Sequence, residues 1–267
     1  MVFPASFWLV VAVAFAVSAI GFYNYSWFFS VGYGLAIAGE GLLLLFLFPQ
    51  QLSVGTALCC VIFLVYGLRL GGYLLYRELK LKSYHKHLGD DIKDSKTIPL
   101  VAKLSIWFFC AVLYVTMVCP VFYRLHNESG SDAFTYIGAA LMLLGFLLEA
   151  AADQQKKTAK ATQPHRFVDT GLYRFVRCPN YLGELILWTG VLIVGFGSLA
   201  GVGQWVLAII GYLGIVYVMF SGARRLELRQ NKTYGADPEY QKYSTSVPIL
   251  LPFIPMYSVA KYKWLVA

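Results

Sequence analysis

Gly171-Leu-Tyr-Arg-Phe-Val-Arg-Cys-Pro-Asn-Tyr-Leu-Gly-Glu184, followed at once by the apolar run Leu185 to Ile193, sets polar and basic groups at the mouth of a hydrophobic helix. Pro179 suits the first turn of a helix, where its missing N–H forfeits no hydrogen bond. Asn180 and Glu184 are four apart, so both side chains fall on one helix face. The run behind Glu184 places its carboxylate about one turn inside a bilayer, where an ionisable group is costly and marks a site by default. The plainer alternative is a snorkelling helix end, with Arg174 and Arg177 touching lipid phosphates.

The rest of the chain agrees with a membrane setting. Hydrophobic residues make up 58% and charged residues 13%, too apolar for a soluble domain of this length. Seven stretches approach the ~20 residues that a span requires. They are 3–23, 27–48, 52–75, 99–122, 133–152, 181–199 and 202–221. The first lacks a basic leader and a small-residue cleavage site and reads as a retained helix. The polar gaps are too short for a separate soluble domain. The expected fold is therefore all-α: one domain over 1–267, a bundle of seven transmembrane helices, with 1–130 on the substrate side and 131–267 carrying the cofactor motif.

Basic residues orient the bundle. Of 22 Lys and Arg, seven lie between Arg77 and Lys103, six between Lys156 and Arg177, and seven between Arg224 and Lys263. Arg69 falls within a span and Arg124 in the fourth connection, which also carries Glu128 and Asp132. With seven spans, the three basic segments share one side when the N-terminus is outside and the C-terminus cytosolic. Most of the net charge of +8 is then positive-inside bias and requires no nucleic-acid partner. Cys59, Cys60, Cys110 and Cys119 lie in spans and Cys178 in the motif, without a CxxC or a pairing pattern, so neither a disulfide framework nor a zinc site is expected. His85, His87, His126 and His165 all fall in connections, which disfavours intramembrane haem ligation.

Few charges remain at membrane depth: Glu40, Arg69, Glu149 and Glu184, with Asp153 at the cytosolic edge. Lipid does not solvate them, so they should face a polar cavity and one another. Glu149 and Asp153 share a helix face, with Lys156 and Lys157 one turn on. The bland account of that row is an acid-to-base gradient suited to a helix C-terminus. The functional account is a set of acceptors and cations for a polar, phosphorylated ligand, with Lys160, Arg166, Arg174 and Arg177 adding charge for phosphates. Glu40 stands in Gly34-Leu-Ala-Ile-Ala-Gly-Glu-Gly-Leu-Leu-Leu-Leu45 without a neighbouring base. A protonated carboxyl there can donate to a carbonyl oxygen that gains negative charge, and Tyr66 offers a second donor. The alternative is that Glu40 bonds another helix or pairs with Arg69. Tyr23, Tyr25, Trp27 and Phe28 read as an interface belt, and Gly71-Gly72 as a place of close helix packing. Asn127-Glu-Ser129 is a sequon, but too near the membrane to be a good acceptor. No Walker loop is present, and no GxGxxG follows a strand pattern.

Together, Glu149-Ala-Ala-Ala-Asp153-Gln-Gln-Lys-Lys157 and Asp169-Thr-Gly-Leu-Tyr-Arg-Phe-Val-Arg-Cys-Pro-Asn-Tyr-Leu-Gly-Glu184 resemble the steroid 5α-reductase superfamily, above all its uncharacterised branch in bacteria and lower eukaryotes. The tail Leu226-Glu-Leu-Arg229, Tyr240-Gln-Lys-Tyr-Ser-Thr-Ser-Val-Pro248 and Leu250-Leu-Pro-Phe-Ile254 fits the same pattern. The resemblance is detailed over about residues 145–254 and a matter of layout before that. It implies a membrane reductase that uses NADPH to saturate a C=C bond conjugated to a carbonyl in a steroid-, sterol- or lipid-like substrate. It further implies that Asp153, Asn180 and Glu184 hold the cofactor, with Glu149, Lys157, Lys160, Arg166, Arg174 and Arg177 around it. Tyr66, with Glu40 as the acidic partner, would bond the substrate carbonyl. Two departures are visible: Cys178 replaces the usual motif histidine, and Glu149 stands where the steroid enzymes have asparagine.

On this reading the partners are an apolar small molecule and membrane lipid, with no metal. The membrane would be the endoplasmic reticulum in a eukaryote and the plasma membrane in a bacterium, with the cofactor site facing the cytosol. A rival class is an S-adenosylmethionine methyltransferase similar to isoprenylcysteine carboxyl methyltransferase, whose basic motif lacks the Glu149/Asp153 row. A third is a non-catalytic lipid-binding protein of the same fold.

Overall fold

The computed structural model describes residues 1–80 and 97–266, and among these it is all-helical, without a strand. The described residues form eight α-helices in order: α1 Ala5–Ser18, α2 Val31–Leu47, α3 Val54–Lys80, α4 Leu100–His126, α5 Ala133–Thr162, α6 Pro179–Val194, α7 Gly201–Tyr234 and α8 Pro238–Ser246. Short 3-10 turns cover Ala19–Phe22, Tyr25–Phe28 and Gly171–Arg174. His85 and His87, and most of the first basic segment, lie outside the described residues.

Among the described residues, six helical stretches are long and apolar enough to cross a membrane: Ala5–Phe22, Tyr25–Leu47, Val54–Tyr76, Leu100–His126, Ala133–Thr162 and Gly201–Tyr234. The protein is therefore an integral membrane protein. The stretch expected as a seventh span forms α6, apolar but only 16 residues long. Helices α5 and α7 outrun the apolar windows that mark them. At about 1.5 Å per residue, α7 is roughly 50 Å long against a hydrocarbon core of about 30 Å.

The chain divides into two compact units: Met1–Ala139 with Val191–Tyr212, and Ala140–Gly190 with Leu213–Ala267. In the first, α2 and α3 pack backbone against backbone. A β-carbon on Gly34 would lie 2.5 Å from the Gly71 nitrogen, and one on Gly41 would lie 2.7 Å from the Phe63 β-carbon. One on Gly67 would collide with the Gly34 carbonyl oxygen. Lipid tails are as apolar as leucine, so such close packing is the main source of helix association. Of the expected Gly71-Gly72 pair only Gly71 takes part; nothing stands within 4 Å of a β-carbon on Gly72.

Two readings of the connections change. Trp27 and Phe28 are buried, because the 3-10 turn folds Phe28 beneath Phe22 and against Gly21; only Tyr23 of the expected belt is well exposed. Arg124 belongs to α4 and is fully buried. It donates to the carbonyls of Val194 (2.6 Å), Phe196 (2.6 Å) and Gly130 (3.0 Å) and pairs with Asp132 at 3.0 Å. This satisfies the guanidinium and ties the end of α4 to the segment after α6. Asp132 also accepts from the Thr135 amide at 2.9 Å while Thr135 accepts from the Asp132 amide, a reciprocal cap that starts α5. Asn127 of the sequon donates to Ser198 and Gln204 at 2.8 Å each. His126 ends α4, stacked on Phe122.

Candidate functional site

In the second unit, α5 and α6 meet at two glycines. A β-carbon on Gly183 would lie 2.7 Å from both the Glu149 nitrogen and the Gly145 oxygen, and one on Gly145 would strike the Gly183 oxygen. Main chain therefore touches main chain beside two acids. Glu149 stands next to Gly183, Glu184 follows it, and both carboxylates are buried. Asp153 continues the α5 face one turn on, half-buried, and Asn180 opens the α6 face, half-buried as well. The helix contact thus sets the backbone of Glu149 on α5 beside Gly183, the residue before Glu184 on α6. Tyr181 packs its ring over Gly222 of α7, with Asp153, Cys178, Glu184 and Arg225 in electrostatic reach.

The loop before α6 is fastened to α5 and α8. Gly171 takes a left-handed φ of 62°, and Gln155 fills the space where a β-carbon would stand. Gln155 accepts from the Leu172 amide at 2.8 Å, Tyr173 donates to the Ala152 carbonyl at 3.3 Å, and Tyr243 donates to the Tyr173 carbonyl at 2.8 Å. Burial, and then the nearby Asp153 carboxylate, push the Tyr173 hydroxyl well above its usual range, so it stays a neutral donor. Cys178 is buried and pushed up to about 12 by that burial, against the pull of Arg177 and Lys156, so it is a neutral thiol.

The basic residues have distinct fates. Lys160 donates to the carbonyls of Arg166 (2.5 Å) and Pro164 (3.1 Å) and to the Tyr234 hydroxyl (3.0 Å), closing its own loop. Arg166 lies between Asp169 at 2.8 Å and Glu239, and its bond to Glu239 first of all holds its ionisation above the usual arginine range. Arg177, expected on an electropositive cap, is instead buried. It pairs with Glu227 at 2.9 Å and donates to the Tyr257 carbonyl at 2.5 Å, while Glu227 also accepts from the Val259 amide. The reason is that the backbone of Arg177 and Cys178 pairs with Pro248 and Ile249, which lays the chain's last segment across the motif. Lys157 and Arg174 are exposed.

In the first unit, Glu40 of α2 and Tyr66 of α3 are both fully buried. Neither Glu40 oxygen makes a hydrogen bond, so it is bonded neither to Tyr66 nor to Arg69. The Tyr66 hydroxyl is 3.0 Å from that of Tyr33, whose ring packs on Tyr114. Sequence reading missed Tyr33. Two signals mark it: it is i−7 to Glu40, two turns along one face of α2, and the dipeptide Tyr33-Gly34 is repeated as Tyr66-Gly67. Glu227 and Arg225 were also missed; Glu227 is the one acid set among Arg224, Arg225 and Arg229.

Chemically, the second unit offers three carboxylates and an amide as acceptors and donors, with exposed cations on the same unit. The first offers a buried carboxyl and phenols. Among the described residues no group of three His, Cys, Asp or Glu is disposed to hold a metal. The chain is similar to an uncharacterised protein of Schizosaccharomyces pombe, 26% identical over 169 aligned positions, covering 56% of this chain and 46% of that protein. This chain thus spans about half the length of the curated relative it matches. Residues 15–247 match DUF1295, a family described as of unknown function and associated with the steroid 5α-reductase-like superfamily. With nearly the whole chain inside that match, the protein belongs to the DUF1295 family.

Proposed function

We propose that this protein is an NADPH-dependent membrane reductase that saturates a C=C bond conjugated to a carbonyl in an apolar, steroid-, sterol- or lipid-like substrate. One observation carries the proposal: Glu149 of α5 and Glu184 of α6, both buried, stand beside the Gly145–Gly183 contact, with Asp153 and Asn180 one turn away on the same two helices. Carboxylates accept hydrogen bonds, so the cluster suits the ribose hydroxyls and carboxamide of a dinucleotide and repels its phosphates. Lys157, Arg174 and Arg225, all exposed on the same unit, suit the phosphates. The residues present therefore fit NADPH, with acids for its donor groups and cations for its anionic ones. Lys160, Arg166 and Arg177 serve by shaping the loop.

When bound, NADPH would supply hydride to the β-carbon of the enone, and the α-carbon would then take up a proton from solvent or a relay. Glu149, Asp153, Asn180 and Glu184 orient the dinucleotide. Glu40, in its protonated form, and Tyr66 donate to the carbonyl oxygen as it gains charge, an interaction stronger in the transition state than in the ground state. The apolar spans exclude water. In the membrane, α6 completes a seventh crossing, the N-terminus lies outside and the acid cluster faces the cytosol. A thermal-shift titration of the purified protein with NADPH and with S-adenosylmethionine is the test. Stabilisation by NADPH alone supports the reading, and stabilisation by S-adenosylmethionine alone replaces it with a methyltransferase. Stabilisation by neither leaves a binding protein without a nucleotide site.

A further inference from the structure

We propose that Tyr33 is the positioning residue for Tyr66, an inference that rests on the enone-reductase reading of that same site. Both phenols are buried and their oxygens are 3.0 Å apart. The glycine that follows each tyrosine is where the two helices touch: a β-carbon on Gly34 would lie 2.9 Å from the Gly67 oxygen, and one on Gly67 would lie 2.6 Å from the Ala38 nitrogen. The close approach fixes the register of α2 against α3, and with it the meeting of the two hydroxyls. On its other side the Tyr33 ring is held 5.3 Å from Tyr114, and Tyr114 donates to the Phe28 carbonyl. A phenol so braced has little rotamer freedom left to lose.

The chemistry follows from one proton per phenol. With Tyr33 as donor, the Tyr66 oxygen accepts and the Tyr66 proton is directed to a substrate carbonyl. Hydrogen bonds in a chain polarise one another, so the bond from Tyr33 makes Tyr66 the stronger donor. As charge grows on the carbonyl oxygen and the Tyr66 proton leans toward it, Tyr33 stabilises the charge left on the Tyr66 oxygen and keeps its own proton. In this proposal the Tyr33 hydroxyl acts through Tyr66 and not by its own contact with substrate or cofactor.

The test compares Tyr33→Phe, Tyr66→Phe and the double variant in single-turnover NADPH oxidation, with a 4-en-3-one steroid as the probe. Tyr33→Phe should slow the chemical step about 10-fold, while NADPH affinity and the probe's KM stay within about twofold. In the Tyr66→Phe background it should change nothing further, because Tyr33 acts only through that hydroxyl. An unchanged thermal melting curve of the Tyr33→Phe protein, with its NADPH affinity retained, serves as the folding control. A Tyr33→Phe protein at wild-type rate beside an impaired Tyr66→Phe protein overturns this inference and leaves the reductase reading standing. So does an equal loss from Tyr33→Phe in both backgrounds, which marks a packing role. A Tyr66→Phe protein at full rate, or a wild-type protein that reduces no enone, overturns the reading and this inference with it.

Discussion

Glu227→Gln should open the second unit, because Glu227 is the counter-charge of a buried guanidinium. Arg177 and Glu227 side chains are 1% and 3% exposed, and the 2.9 Å bond joins residues fifty positions apart. The remaining Arg177 nitrogens, Nε and Nη1, make no hydrogen bond. Removing the carboxylate's charge therefore leaves a buried cation with only neutral groups to hold it, such as the Tyr257 carbonyl and the Tyr240 hydroxyl. Breaking one side of a buried pair costs about 3–5 kcal/mol, more than a hundredfold in the opening equilibrium. Arg177→Met leaves the mirror problem, a buried carboxylate bonded only to the Val259 amide. The double variant Arg177→Met/Glu227→Leu buries no charge and should lose far less than either single change. Cys178, buried next to Arg177, is a built-in reporter. Pulsed alkylation across a denaturant series, read at the Cys178 peptide by mass spectrometry, measures the opening of this unit. Single variants as protected as wild type, or a double variant that loses the sum of both, would refute the reasoning. Intact NADPH affinity in the double variant would further place Arg177 in the frame of the site and not in contact with the ligand.

Glu184→Gln should weaken NADPH binding by about 1.5–3 kcal/mol, roughly 10- to 100-fold, since a charged acceptor is lost; unchanged affinity of the folded variant removes Glu184 from the site. Glu40→Gln should keep NADPH affinity and lose roughly 10²–10³ in single-turnover rate; a wild-type rate makes Glu40 a packing group. At Asp132, partial burial pushes the carboxyl up, but the Thr135 amide and then Arg124 outweigh it and hold it below the usual range. A depressed value stabilises the fold above the unfolded aspartate's value of about 3.9, and that share is lost as pH falls through the native value. Acid titration of stability should therefore show a component below about pH 4 that Asp132→Asn abolishes, and an unchanged profile would contradict the assignment.

Helix positions were legible because an apolar run of span length admits few alternatives. Their ends were less so. Hydropathy stops at the first charges, around residue 152 in α5 and 221 in α7, whereas the helices run on to Thr162 and Tyr234. Ala, Gln, Lys and Arg are good helix formers in water, so nothing ends α5 before Gln163-Pro164. Pairs within one helix, such as Asn180/Glu184 and Glu149/Asp153, could be read from spacing alone. Partners across the fold could not: Arg177 looks like any motif arginine until Glu227 is seen against it. Likewise Tyr33 looks like an interface aromatic until Gly34 and Gly67 bring it to Tyr66. Arg124 reads as part of a connection because a charge ends a hydropathy window, although three carbonyls and a carboxylate solvate it inside α4.

The glycine contact between α5 and α6 has a further consequence. Where main chain meets main chain there are no side-chain rotamers to freeze, so the spacing of Glu149 and Glu184 is set by two rigid helices before any ligand arrives. A molecule that bound there would have to order at most the two side chains and not the backbone that carries them, so that share of the ordering cost is absent. Free and bound forms of the protein should accordingly be superimposable at the backbone of these two residues, whatever else moves.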